Sequence, residues 1–152
     1  LAQRSVQYFG INIFVQSAIM EFYSSGQYLK HLKKLRLAIS QHLYSYSQVL
    51  REYLPENTRF SRPEGGLVLW VQIPGIDSNK LLVEAAKHNI YFRVGSEFST
   101  LGLYQDCFRI NFGWPITKAV GKDCGQNKDD AIQRYQQLIT LCQLANEQLN
   151  TK

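Results

Sequence analysis

Apolar residues recur at steps of three and four through Leu29, Leu32, Leu35, Ile39, Leu43, Tyr46 and Leu50. That spacing lays one stripe along a helix and predicts a helix over residues 27–54. Lys30, Lys33, Lys34 and Arg36 fall mostly off the stripe, and Pro55 cannot continue the helix. A shorter helix is predicted over 11–25, with Ile13, Phe14, Ala18, Ile19 and Phe22 apolar, and Ser24-Ser25-Gly26 breaks it. The run Gly66 to Ile73 alternates Leu67, Leu69, Val71 and Ile73 against Val68 and Trp70. Both faces are apolar, so this strand is expected at the centre of a sheet. Asp77 or Ser78 suits a helix cap before Leu81, Leu82 and Ala85, and Asn89 suits its end. Ile90 to Val94 and Cys107 to Phe112 read as strands. Residues 127–150 read as a final helix with Ile132, Tyr135, Leu138, Ile139, Cys142 and Ala145 on one side.

Two helices, a strand, a helix, two strands and a helix predict an α+β fold. A small sheet of three to four strands is covered by helices and preceded by one long helix. Residues 113–127 read as a loop. A boundary is expected near Gly26, with 1–25 belonging to another lobe and 26–152 forming the small domain.

Composition narrows the classes. The chain has 152 residues, 45% hydrophobic and 19% charged, which is a globular balance. It holds no apolar run long enough to span a membrane and no secretory signal pattern. It starts at Leu1 and its one methionine is Met20, which suggests a piece of a longer protein. Cys107, Cys124 and Cys142 are odd in number, form no Cys-x-x-Cys and stand far from His31, His42 and His88. A disulfide framework and a metal site are not expected, and reduced thiols point to the cytoplasm. Residues 1–62 carry eight Lys/Arg against three Asp/Glu, whereas 63–152 carry nine of each. The basic third is read as the solvated face of a helix, with a standalone nucleic-acid-binding module as the competing class.

Arg109 is the residue that carries candidate chemistry. Within Cys107 to Phe112, alternation puts Phe108, Ile110 and Phe112 on one face and Arg109 and Asn111 on the other. A guanidinium on a stiff strand offers a planar fork that pairs with a carboxylate. From the residues alone an internal ion pair or simple exposure is the simpler explanation. Arg93 is a second possible carboxylate ligand, with exposure the simpler expectation. Trp70, beside the Gly65-Gly66 turn, is expected to pack rather than to line a pocket.

These pieces occur in a familiar order. Arg62-Pro63-Glu64-Gly65-Gly66-Leu67-Val68-Leu69-Trp70-Val71 resembles a strand of the small domain of fold-type I pyridoxal-phosphate aminotransferases. Asp77 to Ala86 resembles the helix after that strand. Ile90 to Phe98 resembles the segment "hydrophobic-x-hydrophobic-x-Pro-Gly-x-x-Phe", with Val94 in place of the proline. Phe108-Arg109-Ile110-Asn111-Phe112 resembles the strand whose arginine binds the α-carboxylate of the substrate, so Arg109 matches that position. Gly26-x-Tyr28-x-x-His31 to Arg36 resembles the start of the long interdomain helix in MocR-type regulators of the GntR family and in aminoadipate-type aminotransferases. Ile39 and His42 stand where that family usually has Tyr and Arg.

The resemblance implies a parent that binds pyridoxal 5'-phosphate, with none expected on the isolated piece. No lysine here has Ser or Thr three positions before it, so the Schiff-base lysine is missing and no catalytic residue is assigned. It also implies four partners: the large cofactor-binding domain of the same chain, a small amino-acid-like molecule, DNA through an N-terminal winged helix, and a second copy in a homodimer. Residues 1–25 would be the tail end of the large domain, with Asn12 near the cofactor. The alternative is the small domain of a genuine class I/II aminotransferase.

Overall fold

The computed structural model describes residues 12–118 and 128–151. The expectations for residues 1–11 and 119–127 lie outside the described residues. The chain divides into two compact units, Leu1–Ala38 and Ile39–Lys152.

In the first unit, α1 (Ile13–Ser24) starts at Asn12, whose side-chain oxygen accepts hydrogen bonds from the backbone N–H groups of Phe14 at 3.0 Å and Val15 at 3.3 Å. This is N-capping of the ordinary kind, satisfying donors that a helix start leaves unpaired. Gly26 takes a left-handed φ of 74° and turns the chain into α2 (Gln27–Tyr53). Phe22 meets the rings of Tyr28 at 6.1 Å and His31 at 6.2 Å, tying the turn together. None of the residues of α1 is buried among the described residues, and Phe14 is 87% exposed. The first half of the long stripe is likewise open at Leu29 and Leu35. The apolar pattern therefore forms both helices, but burial begins only further along α2.

The second unit holds the core. β1 (Arg59–Phe60), β2 (Val68–Gln72), β3 (Arg93–Val94) and β4 (Cys107–Asn111) form one sheet in the order β1-β2-β4-β3, every pair antiparallel. β2 is interior, as its two apolar faces require. Its pairing with β4 sets Leu69 against Ile110 and Val71 against Phe108. The ladder runs past both assigned ends, because Phe112 N–H bonds Leu67 O at 2.9 Å and Ile73 N–H bonds Asp106 O at 3.0 Å. Leu69, Val71, Phe108 and Phe112 have at most 1% of their surface exposed.

Three helices cover that face: Tyr46, Val49 and Leu50 of α2, Leu81 and Ala85 of α3 (Ser78–Ala86), and Leu138, Leu141, Cys142 and Ala145 of α4 (Lys128–Asn150). Asp77 caps α3, accepting from Asn79 N–H at 2.9 Å. Gln148 on α4 grips the backbone of Asp77 from both sides, accepting from its N–H and donating to its carbonyl. Asn146 donates to the Tyr53 carbonyl at 2.8 Å and so satisfies an acceptor at the end of α2.

The structure differs from the expectations in two places. The strand expected at Ile90–Val94 pairs only at Arg93–Val94. Asn89, at φ 58°, turns the chain, and the Ile90 N–H bonds back to the Ala85 carbonyl of α3 instead of a neighbouring strand. β1 was not anticipated. Two residues show no periodicity, and the strand exists because Arg59 and Phe60 find Gln72 and Val71 across the ladder.

Candidate functional site

The sheet's second face carries the polar residues. In an antiparallel ladder, residues directly opposite point to the same side. Trp70 on β2 and Arg93 on β3 both lie opposite Arg109 on β4, so the three form one row across the sheet. The Arg109 guanidinium sits 5.1 Å from the centre of the Phe98 ring, a cation–π distance. Trp70 meets Phe98 edge-on at 5.5 Å and Tyr104 edge-on at 5.6 Å. The aromatic trio thus packs beside the arginine, and Trp70 belongs to this half-buried cluster instead of the helix-covered core.

Phe98 is presented by a short 3-10 turn, Gly95–Phe98. Val94, just before it, has φ −77° and ψ 148°, angles that a proline would also adopt. The substitution of valine for the family's proline therefore leaves the entry to this turn in the same backbone region.

Arg109 and Asn111 open onto a cavity of about 470 Å³. Arg93 and Glu97 form a charged part of its wall, Val68, Leu82 and Phe92 make its apolar part, and Tyr91 adds a ring with a hydroxyl. Among the described residues, no carboxylate lies within ion-pairing distance of Arg109. Arg93 is different: its Nη1 stands 3.4 Å from Glu97 Oε2. A neighbouring cavity of about 190 Å³ shares Tyr91, Phe92 and Asn111 and is bounded by Arg134. That arginine is engaged, pairing with Asp130 at 3.3 Å and lying 5.3 Å from the centre of the Trp114 ring.

The arrangement can receive a carboxylate. A cation without an internal counter-charge, on a strand, beside apolar walls, can take a carboxylate and a side chain together. No lysine is among the residues that line the cavity. Among the described residues, no group of His, Cys, Asp and Glu is arranged to hold a metal ion. Asn12 belongs to the other unit, where its side chain serves as the cap of α1.

Sequence reasoning placed Arg109 and did not find Glu97, Tyr91 or Leu82. The spacing of Arg93 and Glu97, four apart, was the available signal for that pair. It becomes meaningful only when the turn after β3 folds Glu97 back. At the end of β4, His42 of α2 has a buried Nδ1 without a hydrogen bond. Burial lowers the pKa of the ring, outweighing the Gly113 and Phe112 backbone groups that favour the charged form.

No family model matches the chain. It is similar to the uncharacterized HTH-type transcriptional regulator YjiR of Escherichia coli, 32% identical over 104 residues, which is 68% of this chain and 22% of that protein. It is also similar to aromatic-amino-acid aminotransferase 1 of Thermococcus litoralis, 26% identical over 66% of this chain and 24% of that protein. The chain thus spans about a quarter of the length of the curated relatives it matches. Among solved structures, kynurenine aminotransferase of Pyrococcus horikoshii superposes with a TM-score of 0.66 at 25% identity, over 85% of this chain and 29% of that one. None of the described helices is long and apolar enough to cross a membrane. The chain is thus homologous to, and folds as, the small C-terminal domain of fold-type I aminotransferase-like proteins, a group that takes in both MocR-like HTH regulators and aminotransferases.

Proposed function

We propose that the chain is the C-terminal lobe of a MocR-type transcriptional regulator of the GntR family, in which Arg109 binds the carboxylate of an amino-acid-like effector. In this reading residues 1–25 end the large domain, and 26–152 form the small one. The parent binds pyridoxal 5'-phosphate through its large domain, with Asn12 near the cofactor. It works in the cytoplasm as a homodimer and reaches DNA through an N-terminal winged helix. The piece described here, without the Schiff-base lysine, is inactive by itself.

The observation that carries the reading is the guanidinium of Arg109, which has no carboxylate partner among the described residues. Arg109 is held on a central strand, braced by Phe98, and opens onto a cavity without an acidic partner among the described residues. An effector bound there shifts the parent between states only if it binds one of them more tightly. The higher identity to YjiR than to the aromatic aminotransferase supports the regulator over the enzyme. The enzyme reading uses the same arginine to orient a substrate, and DNA binding by the full-length protein separates the two.

The test is Arg109→Gln in the full-length protein. Losing a charged hydrogen-bond partner costs about 1.5–3 kcal/mol, so amino-acid affinity is expected to fall about 10- to 150-fold. Cofactor loading, read by absorbance, is expected to stay intact. Unchanged amino-acid affinity overturns the assignment.

A further inference from the structure

We propose that Glu97 makes the Arg109 cavity selective for ligands with a single carboxylate, by occupying Arg93. The inference rests on the Arg109 reading and deepens it. Arg93 and Arg109 are direct cross-strand partners and line one cavity. Like charges placed opposite each other repel, and two cations so close are a ready receptor for two acid groups. Glu97 changes that. It lines the same cavity, and its carboxylate lies 3.4 Å from Arg93 Nη1.

With Glu97 in place Arg93 is already paired, and Arg109 is the one guanidinium of the cavity left for a ligand carboxylate. A ligand with a second acid group would have to displace Glu97 from Arg93. The displaced carboxylate would then share the cavity with both acid groups of the ligand. That is a repulsive element against the wrong ligand, which is how selectivity is commonly built. Val68, Leu82 and Phe92 make the apolar part of the wall, beside the Tyr91 hydroxyl and the Asn111 amide, and none of these carries a charge to receive a second acid group. The favoured class is therefore an amino acid with one carboxylate and an uncharged side chain.

The experiment is calorimetric titration of the full-length protein with L-leucine and with L-glutamate as probes. The wild type is expected to bind leucine the more tightly. Glu97→Gln is expected to raise glutamate affinity about tenfold and to leave leucine within about twofold. Adding Arg93→Gln to Glu97→Gln is expected to return glutamate to its wild-type affinity. The pair lies at the surface, with side chains 68% and 44% exposed, so both variants are expected to keep the wild-type thermal midpoint. An unchanged leucine-to-glutamate ratio in Glu97→Gln, or a wild type that prefers glutamate, overturns the proposal. Arg109→Gln separates the two readings. If it weakens leucine while Glu97→Gln changes nothing, only the selectivity role fails. If it leaves leucine unaffected, or if neither probe binds the wild type, the Arg109 assignment fails and this proposal with it.

Discussion

Gly95 lies so close to Cys107 that a side-chain carbon on it would come within 2.8 Å of both the Cys107 Cβ and the Cys107 carbonyl. It would also collide with the Tyr104 carbonyl, which already accepts the Cys107 N–H. Two of the three are backbone carbonyl oxygens, of Tyr104 just before β4 and of Cys107 at its start, and they cannot step aside. Gly95→Ala is expected to cost about 3 kcal/mol, the upper range for overpacking. It is also expected to disturb the turn that carries Glu97 and Phe98. Urea unfolding measures the first effect, and weakened amino-acid binding reports the second.

Asn146→Ala tests the tie between the last helix and the long one. The variant leaves the Tyr53 carbonyl without its side-chain donor. A loss of about 1–2 kcal/mol is expected, the usual cost of one unsatisfied partly buried acceptor. A change under about 0.3 kcal/mol in the urea midpoint analysis would show that water replaces the amide freely.

Thiol chemistry follows from burial. Cys107 and Cys142 are each 1% exposed, and burial pushes their pKa values up to about 11 and about 12. The thiolate is the reactive form, so at pH 8 the Cys107 thiol is ionised in about one molecule in a thousand and Cys142 in fewer. Iodoacetamide at pH 8 is expected to leave both unlabelled in the folded protein and to label both in urea. Mass mapping of the peptides that contain them decides the matter.

His42 gives stability a pH dependence. Burial lowers its pKa below the usual 6.5, so the unfolded chain takes up a proton that the folded ring resists. Stability from this group is whole above about pH 6.5 and declines as the pH falls below that value. The decline levels off below the ring's own lowered pKa. The urea midpoint is expected to drop between pH 7.5 and 5.5, and to drop less in His42→Gln. Equal drops in both proteins would assign the acid sensitivity elsewhere.

The legible part of the fold was the part written in long periodic runs. The helices ending near Tyr53 and Asn150 and the strands around Trp70 and Arg109 repeat one signal many times over. What stayed hidden depended on contacts between distant residues. Arg59–Phe60 becomes a strand only through Gln72 and Val71, and Ile90 leaves the sheet because Ala85 captures its N–H. Alternation alone put Arg109 on the face opposite Phe108. The expectation that it takes a carboxylate came from resemblance, and its aromatic support, Phe98, lay in a short turn with no periodic trace. The exposure of Phe14 and Leu29 also escaped pattern reading, since an apolar stripe states what a residue prefers to touch and not what is present to touch it.

Both margins of the sheet are two-residue strands, and each contains an arginine, Arg59 on one side and Arg93 on the other. Short, charged borders give a foreign strand almost nothing to add to. Expressed by itself, the lobe is therefore shielded from fibril growth through its sheet. The first helix exposes a run of greasy residues, so polar replacements at Phe14 and Ile13 are one rational way to keep it dispersed at high concentration.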